Sequence, residues 1–211
     1  MTVPPTSPPL SSAPRIGVLA IQGDVAEHLR AIAAAGGVGS RVRRPADLAS
    51  VDGLILPGGE STTIGMLGRE AGLLAAIHER LAGGMPAWGT CAGLILLARD
   101  VGREQPLIGG LDVAVARNAF GRQVDSFEVD LDIAGLAGGP FRAVFIRAPV
   151  VSAAGPDVEV LARLDDDTIV AVRQGPLLGT SFHPELTGDP RLHALFLGMV
   201  RVAIRRTTHA D

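Results

Sequence analysis

The sequence predicts an α/β fold: three layers, a mostly parallel central sheet with helices on both faces, and a more antiparallel C-terminal half. Three observations carry that expectation. In the first half, short apolar runs suited to buried strands alternate with helical patterns, as in a parallel sheet covered on both faces. In the second half, short apolar runs follow one another across turn residues with little helix between them, which favours antiparallel pairing. Finally, Met85–Arg99 joins an apolar run (Pro86–Trp88) to a second one (Leu94–Ala98) through Gly89-Thr90-Cys91-Ala92-Gly93. That pattern is a buried strand, a sharp turn and the first turns of a helix.

Arg15–Ala20 is a central strand ending in Ile21-Gln22-Gly23-Asp24, where Gly23 allows the turn and Asp24 caps the next helix. The helix runs from about Val25 to Ala35 and stops at Gly36-Gly37. A second strand covers Ser40–Arg43, before Pro45, and a third covers Asp52–Leu56, followed at once by Pro57-Gly58-Gly59-Glu60-Ser61. Helical patterning resumes over Thr62–Leu67 and Glu70–Leu81. Beyond the Cys91 turn, strands are expected at Val113–Ala116, Ser126–Asp132, Ala143–Ile146, Val158–Leu164, Ile169–Val172 and Leu177–Ser181. A final helix runs from about Pro190 to Arg205, with Pro190 suited to a first helical position. The expected organisation is a disordered extension over Met1–Pro14, a single domain over 15–205 and a tail over 206–211.

With 211 residues the chain has length for one domain with a substantial core. Its 47% hydrophobic content and net charge of -3 are those of an ordinary soluble protein, with no electrostatic footprint for nucleic acid or membrane. No apolar run reaches the roughly 18 residues of a membrane span. Met1–Pro14 is rich in Pro, Ser and Thr and lacks the basic and apolar regions of a signal peptide. A single cysteine excludes an internal disulfide and suits the cytoplasm.

That cysteine, Cys91, holds the one position where chemistry is expected. A residue on a strand–turn–helix elbow is pushed out of the sheet edge, and Gly89 and Gly93 remove side chains that would clash there. Helix N-terminal N–H groups favour an anionic, nucleophilic thiol. Taken alone, a lone cysteine is more often a small buried hydrophobe. The Gly-Thr-Cys-Ala-Gly setting reverses those odds if a base is available. Thr180-Ser181-Phe182-His183-Pro184-Glu185 supplies one at the end of another strand, with Glu185 close enough to orient the imidazole of His183. A His-Pro-Glu turn seen alone is more often a hydrogen-bonded loop. His28, His78, His193 and His209 fall in helical patterns or the tail and are expected to be solvated or partly packed. The Gly58-Gly59 pair makes either a tight connection or a backbone donor for an oxyanion, with the Ala92 N–H as second donor. It is not a phosphate loop, and no cluster has metal-ligand spacing.

Together these pieces resemble the class I (triad) glutamine amidotransferase family, marked by a Gly-Gly loop, a Gly-x-Cys-x-Gly elbow and a His-Pro-Glu end. Within it, several segments resemble the glutaminase subunits of pyridoxal 5′-phosphate synthase: Gly17-Val-Leu-Ala-Ile-Gln-Gly-Asp24, Leu56-Pro-Gly-Gly-Glu-Ser-Thr-Thr63, Gly89-Thr-Cys-Ala-Gly-Leu94, Arg117-Asn-Ala-Phe-Gly-Arg-Gln-Val-Asp-Ser-Phe-Glu128, Phe145-Ile-Arg-Ala-Pro149 and Ser181-Phe-His-Pro-Glu-Leu186. The Gly17–Asp24 and Arg117–Glu128 segments select that branch.

The resemblance implies a flavodoxin-like class I amidotransferase fold and hydrolysis of L-glutamine to L-glutamate and ammonia, with no cofactor and no metal. It implies that Cys91 attacks the side-chain amide, His183 moves protons, Glu185 holds His183, Gly59 and Ala92 form the oxyanion hole, and Gly59, Glu60, Ser61, Arg117, Ile146 and Arg147 line the glutamine site. An arginine suits an α-carboxylate and an acid suits an α-ammonium; the alternative for Arg117 and Arg147, left open by the sequence alone, is a surface or ion-paired arginine. Ammonia is expected to pass to a separate synthase subunit, because the chain has no room for a barrel of about 250 residues. Gln22 and the Arg117–Glu128 segment are the expected transmitters of docking to the oxyanion loop. The alternatives are a glutaminase serving another synthase, a non-catalytic interaction subunit with this fold, and a cysteine hydrolase acting on another amide.

Overall fold

The computed structural model describes residues 13–117 and 126–208. In chain order its elements are β1 (Arg15–Leu19), α1 (Val25–Ala34), β2 (Val38–Val42), a 3₁₀ turn (Pro45–Ser50), β3 (Gly53–Leu56), α2 (Ser61–Glu70), α3 (Leu73–Ala82), β4 (Ala87–Thr90), α4 (Ala92–Leu97) and β5 (Ala98–Asp100). There follow β6 (Leu111–Ala116), β7 (Ser126–Leu131), β8 (Phe141–Ile146), β9 (Val150–Ala154), β10 (Glu159–Arg163), β11 (Ile169–Gln174), β12 (Leu177–Thr180), a 3₁₀ turn (Pro184–Leu186) and α5 (Arg191–Thr208).

The main sheet has the order β2-β1-β3-β4-β12-β11-β9-β6-β5, with β10 attached to β11, while β7 and β8 form a separate hairpin. Pairing is parallel from β2 through β1, β3 and β4 to β12. It turns antiparallel where β11 meets β12, β10 and β9, and where β9 meets β6. The expected change of character between the halves is therefore the change of pairing in the sheet.

Alternation along the strands explains the three layers. Ile16, Val18, Ile55, Trp88 and Leu178 face a core shared with Ile32 of α1, Leu192 and Phe196 of α5, and Phe141 and Phe145 of the hairpin. Leu19, Leu54, Leu56, Ala87 and Leu177 face the opposite core, with Ile64 of α2, Ile77 of α3 and Leu94 of α4. The 3% aromatic content is concentrated in the first of these cores, where Trp88 packs on Phe196 and Phe145 on Phe182.

Some boundaries differ from expectation. The strands β5 and β9 had no counterpart: β5 is three residues long, and Val150–Ala154 lacks the alternation that marks a strand. The break between α2 and α3 falls at Gly72, whose φ of 68° is the left-handed conformation that ends a helix. Helix α5 continues to Thr208, past the expected end at Arg205, so the start of the expected 206–211 tail is helical. At the other end, the Pro14 carbonyl already accepts from the Val38 N–H at 2.9 Å. Residues 1–12, 118–125 and 209–211, including His209 and most of the Arg117–Glu128 segment, lie outside the described residues. Among the described residues no helix is long and apolar enough to cross a membrane.

Candidate active site

Four neighbouring parallel strands, β1, β3, β4 and β12, end at one edge of the sheet. Ligands in open α/β sheets bind beyond such carboxyl ends. From these ends the chain departs through Gln22-Gly23-Asp24, the Pro57–Ser61 loop, Cys91 and His183. Thr90 of β4 stands opposite Thr180 of β12, which brings together two residues far apart in the chain.

The elbow is a strained turn. Cys91 adopts φ 47° and ψ -103°, a conformation rarely open to an L residue with a Cβ. Its N–H donates to the Thr180 carbonyl at 2.8 Å, tying the elbow to β12. A Cβ on Gly89 would lie 2.4 Å from Gly93 C, and one on Gly93 would lie 1.9 Å from the Leu56 carbonyl oxygen. Only glycines let α4 sit this close to β3 and β4.

The base arrives on a second fixed support, since the His183 N–H donates to the Val144 carbonyl at 2.8 Å. Its imidazole Nδ1 lies 2.8 Å from Glu185 Oε1 and 3.3 Å from Asp24 Oδ2, and the ring shares its cleft with Cys91. Burial opposes charge on His183, but the Asp24, Cys91 and Glu185 contacts overcome it and push the imidazole up to about 12. Burial also pushes Glu185 up, against the contrary pull of His183. Asp24 is held low by its hydrogen bond to His183. The expected role of Asp24 as a helix cap is thus corrected: it makes no side-chain capping bond to α1, and its carboxylate faces the imidazole instead.

The loop after β3 presses against this pair. A Cβ on Gly58 would stand 2.3 Å from His183 Cε1, and one on Gly23 would stand 1.7 Å from the Gly58 carbonyl oxygen. Gln22 Oε1 accepts from the Glu60 N–H at 2.9 Å, joining the β1 end to the loop.

A cleft of about 440 Å³ opens over Cys91 and His183, and it also draws its walls from Gly59, Glu60, Ser61, Ala92, Arg117, Ile146 and Arg147. Every expected oxyanion and substrate residue therefore lies on this one cleft, with Glu185 behind His183. Gln22, Asp24, Ile95 and Pro149 complete the walls. Asp24 could have been found from its place at the same strand end as Gln22, whereas Ile95 and Pro149 carry no sequence signal for it.

Glu60 and Arg117 face one another at 3.2 Å. Glu60 caps α2, accepting from the Thr62 and Thr63 N–H groups at 3.2 and 2.7 Å. Burial opposes its ionisation, but the bonds from Thr63, Thr62 and Arg117 pull its carboxyl down to about 2. Arg117 also donates to Thr62 Oγ1 and Gln105 Oε1 at 3.2 and 3.1 Å. Buried on the same wall, Ser61 Oγ has no hydrogen-bond partner among the described residues. Arg147, with φ 42°, is a second strained residue on the cleft, and the neighbouring Ile146 carbonyl lies 4.0 Å from Cys91 Sγ. Among the described residues, Asp24, His183 and Glu185 are the one group that could offer three ligands to a cation, within 4.8 Å of one another. These are the same three side chains already in contact through His183 Nδ1, which faces both Glu185 Oε1 and Asp24 Oδ2.

Two expectations about histidines are corrected. His28 and His193 are wholly buried rather than solvated or partly packed, and they touch each other behind Glu185.

Comparison with known proteins places these observations among relatives. Residues 18–202 match the family described as SNO glutamine amidotransferase. The protein named "Pyridoxal 5'-phosphate synthase subunit PdxT" in Parafrankia sp. (strain EAN1pec) is 64% identical over 90% of this chain and 95% of its own length. Its namesake in Acidothermus cellulolyticus is 56% identical over 97% of this chain and all of its own length. A solved structure described as a glutamine amidotransferase superposes with a TM-score of 0.84 at 52% identity, covering 88% of this chain and 98% of that one. A putative GMP synthase subunit from Thermoplasma acidophilum shares the fold at 18% identity, with a TM-score of 0.66 over 94% of this chain and 98% of its own.

Proposed function

This chain belongs to the SNO glutamine amidotransferase family, and from that premise we propose that it hydrolyses L-glutamine to L-glutamate and ammonia and passes the ammonia to a separate pyridoxal 5′-phosphate synthase subunit. The observation that carries the reading is the convergence of Cys91, His183 and Glu185 beneath a cleft walled by Glu60 and Arg117.

In this reading the Cys91 thiolate attacks the side-chain carbonyl carbon of glutamine. The carbonyl π pair moves to oxygen, and the N–H groups of Gly59 and Ala92 stabilise that oxyanion. Removing one such donor typically costs about 3–4 kcal/mol of transition-state stabilisation. His183, kept cationic by its two carboxylates, gives its proton to the departing nitrogen. Ammonia leaves and a glutamyl thioester remains. The neutral imidazole then takes a proton from water as the water adds to the thioester, and collapse releases glutamate and the thiolate. Glu185 holds the ring and supports its charge.

The α-carboxylate and α-ammonium of glutamine replace the Glu60–Arg117 contact with one partner each, and Ser61 Oγ supplies a further polar contact. The ammonia acceptor is a second polypeptide, so the chain works in a heteromeric complex and in the cytoplasm, where a free active-site thiol persists. The relatives' shared name supports that partner.

Ammonia release from L-glutamine, measured with and without the synthase subunit, tests the reading, with Cys91→Ser as control. Release that rises with the partner and disappears in the variant is expected. Turnover indifferent to the partner would assign the glutaminase to another synthase, and no turnover in either condition would overturn the enzymatic reading.

A further inference from the structure

Behind Glu185 the fold buries two histidines that the chemistry above leaves without work. His28 of α1 and His193 of α5 are both 0% exposed. Each lies against the other, with His28 Nδ1 3.0 Å from His193 Nε2, and both ring systems pack on Trp88. On the far side of its ring, His28 Nε2 lies 3.4 Å from Glu185 Oε2 and 3.3 Å from Thr90 Oγ1, next to Cys91. Glu185 Oε1 is already bonded to His183. Among the described residues no hydrogen bond of ordinary geometry reaches Oε2. A carboxylate oxygen sealed from water needs a donor.

The ring contacts distinguish the two arrangements of protons. Burial holds His28 well below the usual histidine value, reinforced by His193 and His183, and burial brings His193 down to about 4. Both rings are therefore neutral at pH 7, with one N–H each. Suppose His28 carries its proton on Nδ1. It then donates to His193, its bare Nε2 faces the Glu185 carboxylate, and His193 must hold its own proton on Nδ1, which has no partner among the described residues. With the proton on His28 Nε2, both conflicts vanish. His193 Nε2–H donates to His28 Nδ1, only an acceptor is left bare at His193 Nδ1, and the His28 Nε2–H has Thr90 Oγ1 at 3.3 Å and Glu185 Oε2 at 3.4 Å before it. Unpaired buried acceptors are tolerated better than unpaired N–H groups.

We propose that His28 is a positioning residue that donates its Nε2 hydrogen to Glu185 Oε2, and that His193 fixes this tautomer from behind. Glu185 is then gripped at both oxygens, by His28 on one side and His183 on the other, and its angle to the imidazole is set by α1 and α5. The role rests on the assignment of Glu185 as the group that orients His183.

The first test is ¹⁵N NMR of the full chain labelled at histidine, whose chemical shifts separate the two neutral tautomers. A protonated Nε2 at His28 is expected, and a protonated Nδ1 would overturn the proposal. The second is glutaminase kinetics in the presence of the synthase subunit. His28→Gln keeps an N–H donor near the Nε2 position, while His28→Leu fills the space without one. The leucine variant should lose about ten- to a hundredfold in kcat, the worth of a hydrogen bond to a charged group, with KM unchanged. The glutamine variant should recover most of that loss. Without the donor Glu185 protonates more readily, so the acid limb of the leucine variant's kcat/KM profile should move to higher pH; the titratable groups facing His28 are Glu185, His183 and His193. Equal losses in the two variants, or a folded leucine variant with the parent's kcat and pH profile, would reject the role. Absence of glutamine turnover in the parent protein would overturn the glutaminase reading, while the tautomer would still accept or reject the His28 contact.

Discussion

Two carboxylates compete for one nitrogen, and that arrangement makes a quantitative prediction. Glu185 Oε1 stands 2.8 Å from His183 Nδ1 and its side chain is sealed from solvent, whereas Asp24 Oδ2 stands 3.3 Å away on a side chain 39% exposed. A buried hydrogen bond to a charged group is worth about 1.5–3 kcal/mol, so Glu185→Gln should lower kcat about ten- to 150-fold. An exposed pair is worth about 0.2–1 kcal/mol, so Asp24→Asn should lower it no more than about fivefold. Because both acids face the same nitrogen, whichever survives takes over part of the other's role, and each single loss understates the pair. The double variant should therefore fall below the product of the single effects by about tenfold, within the range of coupling for groups in contact. Partner-stimulated ammonia release gives kcat for all four proteins, and thermal melts confirm that each is folded. Simple multiplication of the two effects would refute the shared-nitrogen argument. A larger loss from Asp24→Asn than from Glu185→Gln would reverse the assignment of the orienting acid.

Gly93→Ala should abolish glutaminase activity and lower stability by roughly 1–3 kcal/mol, because its Cβ would stand 1.9 Å from a backbone oxygen; steady-state assay and urea unfolding check both. Arg117→Ala should raise KM for glutamine by about tenfold or more with a smaller change in kcat. The same variant should discriminate poorly between glutamine and an analogue lacking the α-carboxylate. Stability should fall as pH drops from 6.5, because the unfolded chain protonates His28 and His193 where the folded one resists, His193 down to about 4. Each contributes a slope of about 1.4 kcal/mol per pH unit, and His193→Gln should remove one of them in urea unfolding series at pH 7, 6 and 5. His183 acts in the opposite sense: raised to about 12, its contribution is complete below 6.5 and is lost as pH climbs toward that value.

How much of this was legible in the sequence depended on whether a residue's role is local. The elbow was, because Gly89 and Gly93 flank Cys91 and the clash they avoid lies within the same turn and the adjoining strand. The convergence of Cys91 and His183 was legible because parallel strands of an α/β sheet end on one side. Asp24 was misassigned because a carboxylate after a strand and before a helix has two possible partners, the helix N–H groups and whatever stands at the next strand end. Here His183, supplied by β12, wins. His28 and His193 were missed for a related reason: helical spacing assigns a face, but the polar partner that makes full burial of a histidine tolerable comes from another element. Glu60 and Arg117 were each expected to line the glutamine site, and both stand on the cleft, but their contact with each other required the loop after β3 and the end of β6 in three dimensions.

Backbone strain follows the same geography. Among the described residues, three other than glycine have positive φ: Cys91, Arg147 and Asp167. Asp167 lies between β10 and β11, where an aspartate in the left-handed region is ordinary. The other two stand on the same cleft, and the Ile146 carbonyl before Arg147 approaches the Cys91 sulfur. Strain of this kind costs on the order of 1–3 kcal/mol per residue and persists only where the surroundings over-determine it. At Cys91 those surroundings are identifiable: the 2.8 Å bond to Thr180, the Gly93–Leu56 approach, and the fully buried Leu94, Leu96 and Leu97 of α4. The core beneath the sheet thus holds a backbone conformation that the turn would not keep alone, and that conformation sets the single thiol of the chain on the cleft that His183 also lines.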